Sequence, residues 1–205
     1  MLTMNRSSAN FLADPDLDDR VQRMYAADRD GQGYVSNLTR IWAQSPESLS
    51  LVSEALALAV QLAGIDFTQR ALLVSAAASA LRDSYCSLAW GAKLAMTSGE
   101  EAAAGVITDD DTGLNPERRL LTAWARRMVR EPNATTEAHV EELRAIGYDD
   151  RQIFAITVFV ALRIAFSMVN DTLGAAPDPE LLALAPAGVR EAVDYGRPAS
   201  GRTPW

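Results

Sequence analysis

Residues 83–90 read DSYCSLAW and contain Cys86, the single cysteine of the 205-residue chain. A cysteine attacks as its thiolate, so a reactive Cys86 needs a cation, a base or a helix N-terminus beside it. The single histidine, His139, lies in a distant segment, and a Cys/His partnership would depend wholly on the tertiary fold. Asp83 stands one helical turn before Cys86, where a carboxylate disfavours the thiolate and raises the thiol's pKa. Cys86 therefore reads either as a nucleophile with an activator supplied from elsewhere or as a small apolar core residue.

The neighbouring residues carry alternatives of their own. Desolvated between Cys86 and Trp90, Asp83 could act as a general acid or base; otherwise it is a helix-surface residue or pairs with Arg82 or Arg163. Tyr85 could donate a hydrogen bond to a ligand or serve as a core aromatic. Arg163 is the sole charge inside IFAITVFVALRIAFSMV. Such a charge is costly unless it borders solvent or meets a carboxylate such as Asp83, or an anionic ligand.

Metal chemistry finds little support. DRDGQGYVS from Asp28 imitates a calcium-binding EF-hand loop, but Thr39 occupies the twelfth position, where a bidentate carboxylate must close the oxygen shell. The acidic run at 109–111 reads as a solvated loop. No histidine pair or cysteine cluster suggests zinc. No metal or cofactor is expected.

A hydrophobic content of 48% in 205 residues suffices for a substantial core in one domain. The formal net charge of −8 disfavours nucleic acid and anionic membranes as partners. Lys93 is the single lysine in a chain that otherwise uses arginine. The opening residues do not combine a basic start, an apolar run and a small-residue cleavage site. The expectation is a cytoplasmic protein without an internal disulfide. The apolar run at 153–162 is about half a membrane span and ends at Arg163, so it reads as a buried helix.

Helix signals run through the whole chain, and β alternation is absent. Ser45 and Pro46 open a helix that stops at Gly64. Asp66 with Gln69 opens a second, which contains Cys86 or is followed closely by one that does. Ser98 with Glu101 forms a further capping box; Asn115 and Pro116 begin another helix, and Asp149 with Gln152 begins a long one reaching Val169. Residues 1–13 and 196–205 lack apolar periodicity and read as mobile segments flanking a single domain, 14–195.

The order of these features resembles the AhpD-like superfamily of alkylhydroperoxidases, carboxymuconolactone decarboxylases and peroxidase-related proteins. The resemblance rests on Gly33, Tyr34, Val35, Asn37 and Pro46 in RMYAADRDGQGYVSNLTRIWAQSPESL, and on the distal helices with their GYDD start and late Asn170. It implies an all-α fold of two packed helical halves, assembled as a homo-oligomer. The peroxidase branch carries a glutamate, eleven residues, a CxxC pair, three residues and a histidine. Laid on this chain without gaps, these fall on Ala71, Asp83, Cys86 and Trp90. The resemblance thus leaves Cys86 in the peroxide-attacking position, without its resolving cysteine and without the glutamate and histidine that relay protons.

Three functions follow for a pocket expected around Asp83, Ser84, Tyr85, Cys86, Trp90, Ala71 and Arg163. The first is an enzyme doing non-redox acid/base chemistry on a small molecule, with Asp83 and Tyr85 as candidate catalytic groups. The second is a one-cysteine hydroperoxidase that uses Cys86 with an external thiol. The third is a non-catalytic oligomeric binding protein. Fold kinship alone does not choose among them.

Overall fold

The computed structural model describes residues 10–199, and among these the regular structure is helical throughout, without a strand. Helices α1 (Asp19–Gln32), α2 (Asn37–Trp42) and α3 (Pro46–Ala63) are followed by α4 (Phe67–Leu81) and α5 (Ser84–Ser98). Next come α6 (Glu100–Thr108), α7 (Pro116–Arg130), a 3-10 turn (Pro132–Ala134) and α8 (Glu137–Ala145). The last helices among the described residues are α9 (Asp150–Thr172), α10 (Pro179–Leu184) and α11 (Ala187–Ala192).

Most boundaries sit where local chemistry places them. Ser45 caps α3 ahead of Pro46, and Gly64 ends it at φ 66°, a left-handed conformation that only glycine adopts without cost. Asp66 with Gln69 and Asp149 with Gln152 form reciprocal capping boxes that open α4 and α9. The Ser98 box does not form: Ser98 closes α5, and Gly99 starts α6 without a side-chain cap. α9 runs one turn beyond Val169, to Thr172.

α4 is the central element, buried along Ala71–Ala78 and packed against α5, α6, α7 and α9. Burial all round explains its lack of an amphipathic stripe. α3 packs along α9, and a smaller apolar cluster joins Ile41, Trp42, Tyr85 and Ala175. α9 is long and apolar enough to cross a membrane by length and composition. Its face through Ile153, Ile156, Phe159 and Val160 lies in the protein core, whereas Phe154 on the other side is 68% exposed. It is thus half-buried rather than buried, and α3 likewise exposes Leu51 and Leu58.

The acidic run at 109–111 is a clamp rather than a solvated loop. Asp111 accepts from Nη1 and Nη2 of the buried Arg126 at 2.5 and 3.0 Å, and Asp109 accepts from Arg130 Nη2 at 2.7 Å. His139 is part of a reciprocal cap with Thr136 at the start of α8.

The described parts of the terminal stretches are tied to the body. Phe11 N–H donates to Leu173 O at 2.9 Å, Arg197 N–H donates to Ser84 Oγ at 3.0 Å, and Ser84 O–H donates to Arg197 O at 2.7 Å. Gly196 permits this last contact: its φ is 72°, and a Cβ there would lie 2.7 Å from the Arg82 carbonyl oxygen. Residues 1–9 and 200–205 of the two segments read as mobile lie outside the described residues.

Candidate functional site

The chain breaks between α4 and α5 at Arg82, which adopts a left-handed φ of 60°. Asp83 then caps α5, one carboxylate oxygen accepting from Cys86 N–H at 2.9 Å. Its other oxygen is buried without a hydrogen-bond partner among the described residues. Asp83 is a helix cap of the kind whose loss costs about 0.5–2 kcal/mol. Neither arginine considered for it forms an ion pair with it: Arg82 lies over the Tyr195 ring, and Arg163 reaches Cys86.

From that cap, α5 projects Cys86, Trp90 and Lys93 at i, i+4 and i+7, one face of the helix. This face closes one side of a cavity of about 370 Å³, within the size range of small-molecule sites. Asp28, Tyr34 and Ser36 contribute from the end of α1 and its connector, and Leu38, Thr39 and Trp42 from α2. Arg163 and Phe166 reach in from α9, and Leu181 from α10.

Of the residues singled out from sequence, Tyr85, Cys86, Trp90 and Arg163 come together in this lining. Asp83, Ser84 and Ala71 do not line it. Asp83 is fully buried beneath the start of α5, Ser84 holds the C-terminal segment, and Ala71 sits in the α4 core.

The cavity has two chemical ends. At one, Arg163 Nη2 lies 3.6 Å from Cys86 Sγ. The Arg163 guanidinium stands 5.2 Å from the centre of the Trp90 ring and 4.9 Å from that of Phe166, while Lys93 Nζ is 4.3 Å above Trp90. Such cation–π contacts hold a charge over an apolar wall. Desolvation, and then the Arg163 charge, push the Lys93 ammonium below the ordinary lysine range. Desolvation and the Asp83 carboxylate push the Cys86 thiol well up, and Arg163 only partly offsets them. Near neutral pH the cavity holds a thiol, not a thiolate.

At the other end, Tyr85 O–H donates to Asp178 through a short contact, and the Asn37 N–H donates to the second Asp178 oxygen at 3.0 Å. Burial raises the Asp178 carboxyl above its usual range, although both hydrogen bonds work the other way. Burial and Asp178 together raise Tyr85, and they push Tyr34 up to about 12. Between the ends, Trp42 and Phe166 stack with ring centres 4.9 Å apart, and Trp42 Nε1–H donates to the buried Asn170 Oδ1 at 2.9 Å.

Sequence reasoning missed Lys93 and Asp178. Lys93 left a trace, as a lone lysine two helical turns after the lone cysteine. Asp178 left none, since its meeting with Tyr85 spans 93 positions. Among the described residues, no group of three or more His, Cys, Asp or Glu side chains could hold a metal ion.

No protein-family model matches the chain, and no curated protein sequence matches it. Solved structures do. An uncharacterized peroxidase-related protein from Ralstonia eutropha JMP134, described as an alkylhydroperoxidase AhpD core, aligns with a TM-score of 0.72 and 21% identity over 86% of this chain and 96% of that one. An uncharacterized peroxidase-related protein from Silicibacter sp. TM1040 aligns at 0.73 and 21% identity over 87% and 97%. The debrominase Bmp8 aligns at 0.68 and 13% identity over 92% and 98%, and a cysteine-to-alanine variant of it in complex with 2,3,4-tribromopyrrole is also similar. With identities this low the likeness is one of architecture, and what it establishes is that this chain has the AhpD-like helical fold.

Proposed function

We propose that this protein is an enzyme that moves protons on a small organic molecule held in the Cys86 cavity, without redox chemistry at the thiol. The observation that carries this reading is that Lys93 and Tyr85 line one cavity, with Tyr85 hydrogen-bonded to Asp178 just outside the lining. Lys93 is made a stronger acid by its surroundings, and Asp178, reached through Tyr85, is made a stronger base. Environments that separate acid from base in this way are how a single site runs proton transfer near neutral pH. Lys93 delivers a proton to the ligand, Arg163 stabilises negative charge, and the Tyr85–Asp178 pair takes a proton up. Asp83 acts at one remove, holding the first turn of α5 so that Cys86, Trp90 and Lys93 share a face.

The test is deuterium incorporation. The protein is incubated in deuterium oxide with a panel of small carbonyl and carboxylate compounds, each examined by mass spectrometry. At least one is expected to take up carbon-bound deuterium, about 100-fold or more slowly with Lys93→Met or Asp178→Asn, the usual worth of a positioned acid or base. Ligands that bind without exchange or turnover would instead favour a non-catalytic binding protein.

A second reading is favoured by one specific contact, the Arg163 guanidinium against Cys86 Sγ. A one-cysteine hydroperoxidase needs such a cation to hold its thiolate, and the debrominase whose cysteine-to-alanine variant is seen with a bromopyrrole shares the fold. Intact-mass spectrometry after brief exposure to an organic hydroperoxide separates the two. Rapid oxygen addition that is lost in Cys86→Ser would establish the redox enzyme. The apolar side chains exposed on α3 and α9 support a homo-oligomer; a stable monomer in sedimentation at micromolar concentration would dismiss it.

A further inference from the structure

The end of the cavity beside Cys86 collects positive charge against the character of the chain. The protein carries 27 acidic and 19 basic residues, yet the charged groups that act on Lys93 near neutral pH are Arg163 and, outside the cavity lining, Arg70, with no carboxylate among them. Arg70 stands 5.4 Å from the centre of the Phe67 ring, which in turn lies 6.5 Å from that of Trp90. Among the described residues, none of these three cations enters an ion pair. Arg163 directs one nitrogen at a sulfur, a weak acceptor, while its buried Nε and that of Arg70 have no hydrogen-bond partner.

Like charges gathered in a partly desolvated site repel and resist burial. The fold keeps them over aromatic faces, which ease the cost without supplying a negative charge. Asp28, the carboxylate in the cavity lining, accepts from Ser36 N–H, and Asp178, outside the lining, is engaged by Tyr85 and Asn37. What the cationic end lacks is an anion, and the surrounding walls from Trp42, Trp90 and Phe166 are flat and apolar.

We infer that the cavity takes a small organic anion with a planar apolar body, its carboxylate or phenolate seated between Lys93 and Arg163 and its ring against the aromatic walls. Here the proton-transfer reading acquires a substrate class. The inference rests on that reading only for what happens after binding.

The experiment is calorimetric titration of the full chain with benzoate and 2-naphthoate, each compared with its neutral amide, benzamide and 2-naphthamide. At least one carboxylate is expected to bind 10-fold or more tightly than its amide, and to bind at least 10-fold more weakly to Lys93→Met and Arg163→Met. Lys93→Arg, which keeps the charge, should retain most of the affinity. Equal affinity for acid and amide overturns the inference, as does absence of binding by both acids. That comparison is made on the unaltered protein, so it stands even if a variant misfolds. Unchanged affinity in both folded methionine variants overturns it as well. Carboxylate binding without deuterium exchange or turnover would sink the proton-transfer reading and leave the anion site standing.

Discussion

Arg163 Nη2 lies 3.6 Å from Cys86 Sγ, across 77 positions of sequence. A guanidinium beside a thiol ordinarily signals an activated cysteine, yet here burial and Asp83 outweigh it and the thiol stays protonated. The contact is better understood from the side of the arginine. It points a cation into the cavity from the middle of an apolar helix, and the thiol is the soft group the cation rests on.

A first prediction concerns that thiol. Cys86 should react with iodoacetamide at pH 7.5 at least 10-fold more slowly than free cysteine, because the thiolate fraction controls the rate. Arg163→Met should slow it further, since the remaining charge influence, from Asp83, is unfavourable. Intact-mass time courses read both rates, and alkylation as fast as that of a free thiol would refute the protonated state.

Tyr85 and Asp178 form a buried pair whose members depend on each other. Tyr85→Phe leaves the carboxyl short of a donor and should cost about 1–3 kcal/mol of stability, the usual penalty for an orphaned buried polar group. Asp178→Asn should cost a similar amount, and the double variant less than the sum, with a coupling of about 0.5–3 kcal/mol. Urea unfolding of the four proteins gives the coupling directly; strict additivity would mean that the contact contributes nothing.

Asp171 supplies a pH signature. Burial and the nearby Asp83 raise its carboxyl to about 7, with Arg197 opposing them. The folded protein therefore retains a proton that the unfolded chain has already lost above about pH 4. Folded binding exceeds unfolded binding in this window, so the contribution of Asp171 to stability falls as pH rises from about 4 to 7 and levels off above. Asp171→Asn should flatten that part of the profile, giving a variant that gains on the wild type as pH increases. Melting temperatures at pH 4.5, 6 and 8 test this, and a wild-type-minus-variant difference independent of pH would refute it.

The Arg126 clamp is a stability element remote from the cavity. Arg126→Met removes hydrogen bonds to Asp111 and to the Val106 carbonyl, the latter at 2.8 Å, and an ion pair with Asp109, leaving Asp111 half-buried and unneutralised. A loss of about 3 kcal/mol is expected, at the low end for breaking a buried pair because Asp109 is exposed. The unfolding midpoint should fall with little change in binding of benzoate to the cavity. A loss below about 0.5 kcal/mol would place the pair among ordinary surface ion pairs.

What the amino-acid order determined by itself was local. The caps Ser45, Asp66, Asn115 and Asp149 set helix starts because each satisfies the amides a few residues along, a decision made within one turn. Cys86, Trp90 and Lys93 share a face because helical spacing compels it. Where local signals competed, sequence misled: Ser98 could cap a new helix or close the old one, and the second outcome prevailed. The acidic run at 109–111 reads from sequence as a solvated loop because its partner Arg126 lies on the following helix. Only the tertiary structure decided that α9 delivers Arg163 to Cys86 and that Asp178 meets Tyr85, leaving Asp83 beneath the site rather than in it. These pairings are made by packing between segments far apart in the chain, and no periodicity or cap encodes a contact of that range.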